Sequence, residues 1–371
     1  MICNYFCALF MAGVSKIGEL SERSEKEAAD MQVTLKEIAE RTGLSFQTVG
    51  DVLKPGSKRA ARYRPSTRQR VLEAAAELGY RPNQAARAMI TGRFGCAALV
   101  MGVRPNRSNL PAALLRGIHD ALAERGMHLT CAILPDEQLT GEGFIPTVLR
   151  QWMADGLLIN YTDHLPPLLL ERLRTSGIPV VWLNTKLPGD CVHPDDFGAG
   201  RRAGEHLLSL GHRRLGFVNF SGEDHYSTRD RRAGFAEACR QGGAPAPAEL
   251  VCLGGTERER IERAMAFLRD ERPSAVAAYG PTTATPVLFA AQALGLAVPR
   301  DVSLVSFAGG FETWAGLRIT TLAIPEYRMG QAAVERLCAR LDDSALAVPT
   351  DRSNGIPFGF VPGETCASRV V

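Results

Sequence analysis

Thr34-Leu35-Lys36-Glu37-Ile38-Ala39, running into Thr42-Gly43-Leu44-Ser45-Phe46-Gln47-Thr48-Val49, is the stretch on which the fold turns. A Thr followed three residues later by Glu is a reciprocal cap, each side chain satisfying a backbone donor at the start of a helix. Leu35, Ile38 and Ala39 then share one apolar face. Gly43 marks a tight turn, and Ser45 caps a second helix from Phe46 to about Leu53 that buries Val49, Val52 and Leu53. Phe46, Gln47, Gly50 and Asp51 are left facing outward. Two short helices joined through such a turn place the second helix in a DNA major groove, where Gln47 is suited to read a base edge.

Working outward, Thr67 to Leu78 fits a third helix with Val71, Leu72, Ala75 and Leu78 on its inner face, Gly79 just past its end and Pro82 beyond. Asn83 can cap a further helix of about two turns before Thr91-Gly92. Helices this short are marginal in water, so DNA is the expected support for this one.

These segments, with Leu78-Gly79-Tyr80-Arg81-Pro82-Asn83, Ala86-Arg87 and Thr91-Gly92-Arg93, resemble the DNA-binding headpiece and hinge of the lactose repressor (LacI-type) family. The resemblance continues more loosely to about Cys366. It implies that Phe46 and Gln47 read major-groove bases and that Met89 is an apolar wedge in the minor groove. Thr34, Ser45, Thr48, Asp51, Arg62, Asn83, Ala86 and Arg87 complete the expected DNA-binding set. Two positions depart from the family pattern of Ser then Arg: Gly50 lacks a phosphate-contacting hydroxyl, and Asp51 replaces a cationic base reader. Asp accepts from cytosine N4 but repels phosphate, which implies a different half-site rather than loss of binding.

Charge agrees with a nucleic-acid partner. Residues 31–94 hold 12 Lys and Arg against 5 Asp and Glu, a net of +7, whereas the whole chain nets +3. The densest part, Lys58-Arg59-Ala60-Ala61-Arg62-Tyr63-Arg64, is longer than the family loop and is either a solvated loop or an extra phosphate contact.

Composition is that of a globular chain, 45% hydrophobic and 22% charged, long enough at 371 residues for two or three domains. Nine cysteines, scattered without a paired motif, point to reduced thiols in the cytoplasm. The seven histidines show no metal spacing, and no cofactor, catalytic residue or metal is expected. The apolar run Met1 to Val14 is too short to span a bilayer. Met31 stands two residues before the fold begins, so residues 1–31 are expected to be a non-native or disordered extension.

From Phe94 onward short apolar runs alternate with helical patterns: Cys96 to Met101, His128 to Leu134, Gly156 to Asn160 and Pro179 to Leu183, then a restart after His193 that ends at Val302 to Phe307. Alternation of this kind implies parallel doubly wound sheets in two lobes, with a ligand cleft at the strand C-termini. The expected fold is therefore a small all-α helix-turn-helix headpiece plus hinge helix, followed by a two-lobed α/β sensor like periplasmic binding proteins. The boundaries expected are headpiece 32–81, hinge 82–94 and sensor 95–371. Within the sensor, the N-lobe spans about 95–192 plus 323–348, and the C-lobe about 193–322 plus the C-terminal segment.

The resemblance implies that Ser227 and Arg231 bind an effector's hydroxyls or carboxylate; pairing of Arg231 with Asp230 or Glu223 is the alternative. Tyr279, Phe307 and Trp314 are candidate ring-stacking partners. Two polar residues of the family pattern are missing, replaced by Gly280-Pro281 and by Ala308. Three readings follow: a carbohydrate bound in an altered way, another ligand, or a cleft without one. Gly198-Ala199-Gly200-Arg201-Arg202-Ala203-Gly204 resembles a dinucleotide-binding pattern but follows no apolar strand, so close helix packing is the expected role. Asp195 and Asp196, at the lobe crossover, are expected to cap a helix.

Together these readings imply a cytoplasmic, nucleoid-associated homodimer that represses transcription from a near-palindromic double-stranded DNA operator under control of a small molecule, with no membrane partner. A solute carrier or an enzyme on a doubly wound fold are the alternatives; no export signal and no nucleotide motif supports either.

Overall fold

The computed structural model describes residues 33–54, 59–80, 92–103, 108–151, 153–162, 165–187, 190–221, 225–342 and 355–369. The chain divides into two compact units, 1–90 and 91–371.

In the first unit, helix α1 (Leu35–Thr42) begins with the expected reciprocal cap: Thr34 Oγ1 accepts from Glu37 N at 3.4 Å, and Glu37 Oε2 accepts from Thr34 N at 2.6 Å. Gly43 ends α1 at φ 64°, a left-handed conformation that an L side chain resists, and so sets the turn into α2 (Phe46–Leu53). A 3-10 turn (Ala60–Arg62) and helix α3 (Pro65–Glu77) follow. Ile38, Val49, Val71, Ala74 and Ala75 form the buried centre. Leu72 is a correction, since it is 50% exposed and Ala74 takes the inner position instead. Positions 71, 74, 75 and 78 follow the helical period and 72 lies off that face.

The second unit has two lobes. Its N-lobe sheet contains β1 (Cys96–Gly102), β2 (His128–Leu134), β3 (Gly156–Asn160), β4 (Val180–Leu183) and β5 (Cys191–Val192), in the order β2-β1-β3-β4-β5 and parallel throughout. Helices α4 (Ala112–Ala123), α5 (Asp136–Leu139), α6 (Phe144–Arg150) and α7 (Pro167–Ser176) connect these strands. Alternate residues of β1 enter different apolar clusters, Ala97 and Leu99 on one face, Ala98 and Val100 on the other, as strand geometry requires.

The C-lobe begins with α8 (Asp196–Ser209), β6 (Leu215–Asn219), α9 (Tyr226–Gln241), β7 (Ala248–Val251), α10 (Glu257–Glu271), β8 (Ala275–Ala278), α11 (Pro281–Ala293) and β9 (Ser303–Ala308). A hairpin of β10 (Thr313–Trp314) and β11 (Leu317–Arg318) precedes β12 (Thr320–Ala323). Helix α12 (Glu326–Asp342) then returns to the N-lobe, burying Met329, Ala333, Val334 and Leu337 with Leu99 and Leu114, before β13 (Gly359–Val361) rejoins the C-lobe. The order of the larger sheet is β13-β12-β9-β8-β6-β7, antiparallel only at β12 and β13.

The glycine pattern of α8 packs helices rather than cradling phosphate. A Cβ on Gly200 would lie 2.0 Å from Arg231 O, and one on Gly234 would lie 2.0 Å from Phe197 O, so α8 and α9 cross backbone to backbone. That close approach positions the site described next.

Candidate functional site

The headpiece presents the N-terminus of α2. Ser45 caps it, its Oγ accepting from Thr48 N at 3.1 Å and meeting Thr48 Oγ1 at 2.8 Å. Thr34 and Ser45 are therefore helix caps, of α1 and α2, and Ser45 with Thr48 fixes the first turn that carries Phe46 and Gln47. Phe46 is 56% exposed and Gln47 is exposed, with no side-chain hydrogen bond among the described residues. Asp51 is half-buried, and its Oδ2 accepts from Tyr63 Oη at 3.0 Å. Arg62 is exposed on the 3-10 turn and has no acidic partner among the described residues. Asn83, Ala86, Arg87 and Met89 lie outside the described residues.

In the second unit the crossing of α8 and α9 sets Asp196 against Arg231. Both are buried, and Arg231 Nε donates to Asp196 Oδ1 at 2.7 Å. Arg231 Nη1 donates to Tyr279 O at 2.9 Å, and its guanidinium lies 4.7 Å from the ring of Tyr279, 5.0 Å from Phe307 and 5.5 Å from Phe358. Burial, the largest single influence, favours neutral arginine, but the Asp196 carboxylate together with Tyr279 and Tyr226 outweighs it and holds the guanidinium above its ordinary pKa. Ser227 Oγ is 2.6 Å from Tyr279 Oη and 2.6 Å from His225 Nδ1. The structure thus brings together Ser227, Arg231, Tyr279 and Phe307.

Two expectations change. Arg231 pairs with buried Asp196 and not with Asp230; Glu223, the other expected partner, lies outside the described residues. Trp314 does not join this group: it meets Phe289 edge to face at 5.5 Å and packs against the apolar cluster on the opposite face of the C-lobe sheet. Phe307 is 1% exposed, so its ring stacks on Arg231 as part of the core.

The Asp195-Asp196 doublet divides its labour. Asp195 caps α8, accepting from Gly198 N at 2.9 Å, while Asp196 makes the ion pair. Asp196 Oδ2 is buried and accepts no hydrogen bond among the described residues. The Tyr226 hydroxyl stands beside this carboxylate but donates to Asn184 Oδ1 at 3.1 Å; burial, then the Asp196 charge, pushes it well above the ordinary tyrosine pKa.

The loop after β4 reaches the C-lobe here: Asn184 O is 3.1 Å from His225 Nε2, and Lys186 pairs with Asp230. At the end of β3, Asn160 Nδ2 donates to Asn109 O at 2.6 Å while its buried Oδ1 has no partner among the described residues. Sequence reasoning missed Asn160, Asn184, His225, Tyr226 and Phe358; only Asn160 and Asn184 carried a signal, their position at strand C-terminal ends. A separate cavity of about 370 Å³, lined by Arg214, Arg269, Arg272 and Arg369, lies at the start of β8, the opposite end of the strand from Tyr279. Among the described residues no group of side chains is arranged to hold a metal, and no helix is long and apolar enough to cross a membrane. Burial pushes the Cys239 and Cys366 thiols up to about 11, away from the reactive range.

A capped helix-turn-helix in a basic unit, joined to a two-lobed doubly wound unit, defines a DNA-binding transcriptional regulator rather than an enzyme. Residues 34–83 match the bacterial regulatory proteins of the lacI family, and residues 205–366 match the periplasmic binding protein-like domain. The regulator CelR of Thermobifida fusca is 31% identical over 293 residues, 74% of this chain and 81% of CelR. The regulator DegA of Bacillus subtilis is 29% identical over 309 residues, 81% of this chain and 89% of DegA. The chain belongs to the LacI family of transcriptional regulators. Its fold is that of the lac repressor dimer solved on operator with the anti-inducer ONPF, with a TM-score of 0.68 at 22% identity over 91% of this chain and 99% of that one.

Proposed function

We propose that the chain is a cytoplasmic, homodimeric repressor that holds a near-palindromic operator through two headpieces, with the 82–94 segment as hinge. The observation that carries this reading is the capped N-terminus of α2, which leaves Phe46 and Gln47 exposed on a unit of net charge +7 over residues 31–94. Selecting sequences from a random DNA pool with the full chain, near physiological salt, tests it: a near-palindromic site is expected, and enrichment of none overturns it.

The interlobe cleft is the proposed effector site. Two buried acceptors without a partner among the described residues, Asp196 Oδ2 and Asn160 Oδ1, favour a ligand that presents hydroxyl or amide donors, such as a carbohydrate. CelR, among the proteins of the same fold, was solved as a cellobiose complex. Binding is expected to shift operator affinity through lobe closure, a coupling of ~1–3 kcal/mol. A second reading is favoured by the chain of bonds Ser227–Tyr279–Arg231–Asp196, which partners these side chains with one another without a ligand. Calorimetric titration with a carbohydrate panel separates the two. Saturable heat supports the effector site; a flat response across the panel, with operator binding intact, supports a cleft without ligand.

A further inference from the structure

The recognition helix carries an acid where a base-reading cation is the pattern, and the structure gives that acid a partner. Asp51 sits in the last turn of α2, where the helix dipole disfavours negative charge. Its Oδ2 accepts from Tyr63 Oη at 3.0 Å, and both residues are half-buried. Tyr63 directly follows the 3-10 turn, which is closed by Arg62 N donating to Arg59 O at 3.0 Å and Tyr63 N donating to Ala60 O at 3.2 Å. Directly beyond it, Arg64 O accepts from Arg68 N at 3.1 Å as α3 begins. The phenol is therefore anchored on both sides, and its bond to Asp51 ties the 59–64 segment to α2. Arg59, Arg62 and Arg64 flank that tie; all three are exposed and have no acidic partner among the described residues.

We propose that Asp51 is a positioning residue for DNA binding: through Tyr63 it holds the Arg59, Arg62 and Arg64 segment beside the recognition helix, where these cations grip operator phosphates. Asp51 thus supports sequence-independent affinity and reads no base. A hydrogen bond to a carboxylate is stronger than a bond between neutral groups, which suits it to hold a loop. The inference rests on the operator-binding reading above, and wild-type selection of an operator tests that reading separately.

The experiment uses the full chain and its selected operator. Tyr63→Phe keeps the ring and removes only the hydroxyl. Its operator affinity is expected to fall about two- to tenfold, the equivalent of one hydrogen bond. The slope of log K against log salt should become shallower by about 0.9 for each phosphate that the displaced cations no longer neutralise. Base preference in a repeated selection should not change. Asp51→Ala should show the same fall in affinity, and the double variant no more than either single one. Two outcomes overturn the proposal. If Asp51→Ala changes the preferred base at one half-site position while Tyr63→Phe does not, Asp51 reads DNA directly. If Asp51→Asn strengthens binding and Tyr63→Phe leaves affinity and slope unchanged, Asp51 is only a charge facing phosphate.

Discussion

Replacing Arg231 by Met removes the positive half of a buried pair whose carboxylate, on Asp196, is 0% exposed. The change deletes the bond to Asp196 at 2.7 Å and the bond to Tyr279 O at 2.9 Å. Met fills much of the same volume against Tyr279, Phe307 and Phe358, so little of the cost comes from a cavity. Removing one partner of a buried pair costs ~3–5 kcal/mol, and two bonds to a charged group at ~1.5–3 kcal/mol each give a similar figure. Arg231→Met is therefore expected to destabilise the sensor by about 3–5 kcal/mol. Arg231→Met with Asp196→Leu should recover most of that, because an apolar pair of matched volume replaces a buried ion pair at little cost. Urea unfolding followed by tryptophan fluorescence isolates the effect, since Trp152, Trp182 and Trp314 all belong to the 91–371 unit. A single variant destabilised by less than ~1 kcal/mol, or a double variant no better than the single, would refute the assignment of this pair as a structural strut. The same measurement bears on function. If Arg231 holds the cleft together, its removal perturbs the effector response through the fold.

Gln47 is exposed and supports nothing in the headpiece, so Gln47→Ala should leave stability unchanged while relaxing preference at one base position by ~1–3 kcal/mol; equal weakening on all DNA sequences would contradict its role. Gly50 lies inside α2, and a Cβ there would meet only Leu35 Cδ1 at 3.9 Å, an ordinary van der Waals distance. Gly50→Ala should therefore raise headpiece stability by ~0.5–1 kcal/mol in thermal unfolding, and a fall in stability would show that the helix needs glycine there. His212, 3% exposed and placed between Ser274 Oγ and Ala367 O at 3.1 Å each, has its pKa lowered from 6.5, chiefly by burial. Its folded value lies below its unfolded one, so the unfolded chain binds the proton first. The stability tied to neutral His212 is present above about pH 6.5 and lost as pH falls toward the depressed value. His212→Gln should flatten that part of the stability profile; an unchanged slope between about pH 6.5 and 5 would assign it to other groups.

What the sequence revealed and what it hid differ by the range of the interactions involved. Thr34 with Glu37, Ser45 with Thr48 and the left-handed Gly43 act within a single helical turn, so chain spacing alone specifies the headpiece. The sheets are legible because their central strands are buried on both faces and so are apolar without alternation. Asp196 and Arg231 stand 35 positions apart, and their meeting depends on how closely two helices cross. The glycines that permit that crossing were visible, yet a glycine pattern states only that backbones approach, not which side chains end up opposed. The Asp195-Asp196 doublet shows the limit sharply. Capping needs one carboxylate at the helix start and either residue satisfies that need; helical rotation then turns the next residue about 100° away, and here that direction is inward toward Arg231. The ion pair and the cap are thus consequences of one helix phase, set by the buried small residues Ala199, Gly200, Ala203 and Gly204. Slipping that phase by one residue would put Asp195 in the cleft and leave α8 uncapped. The close glycine crossing is therefore the element on which the geometry of the whole candidate site depends.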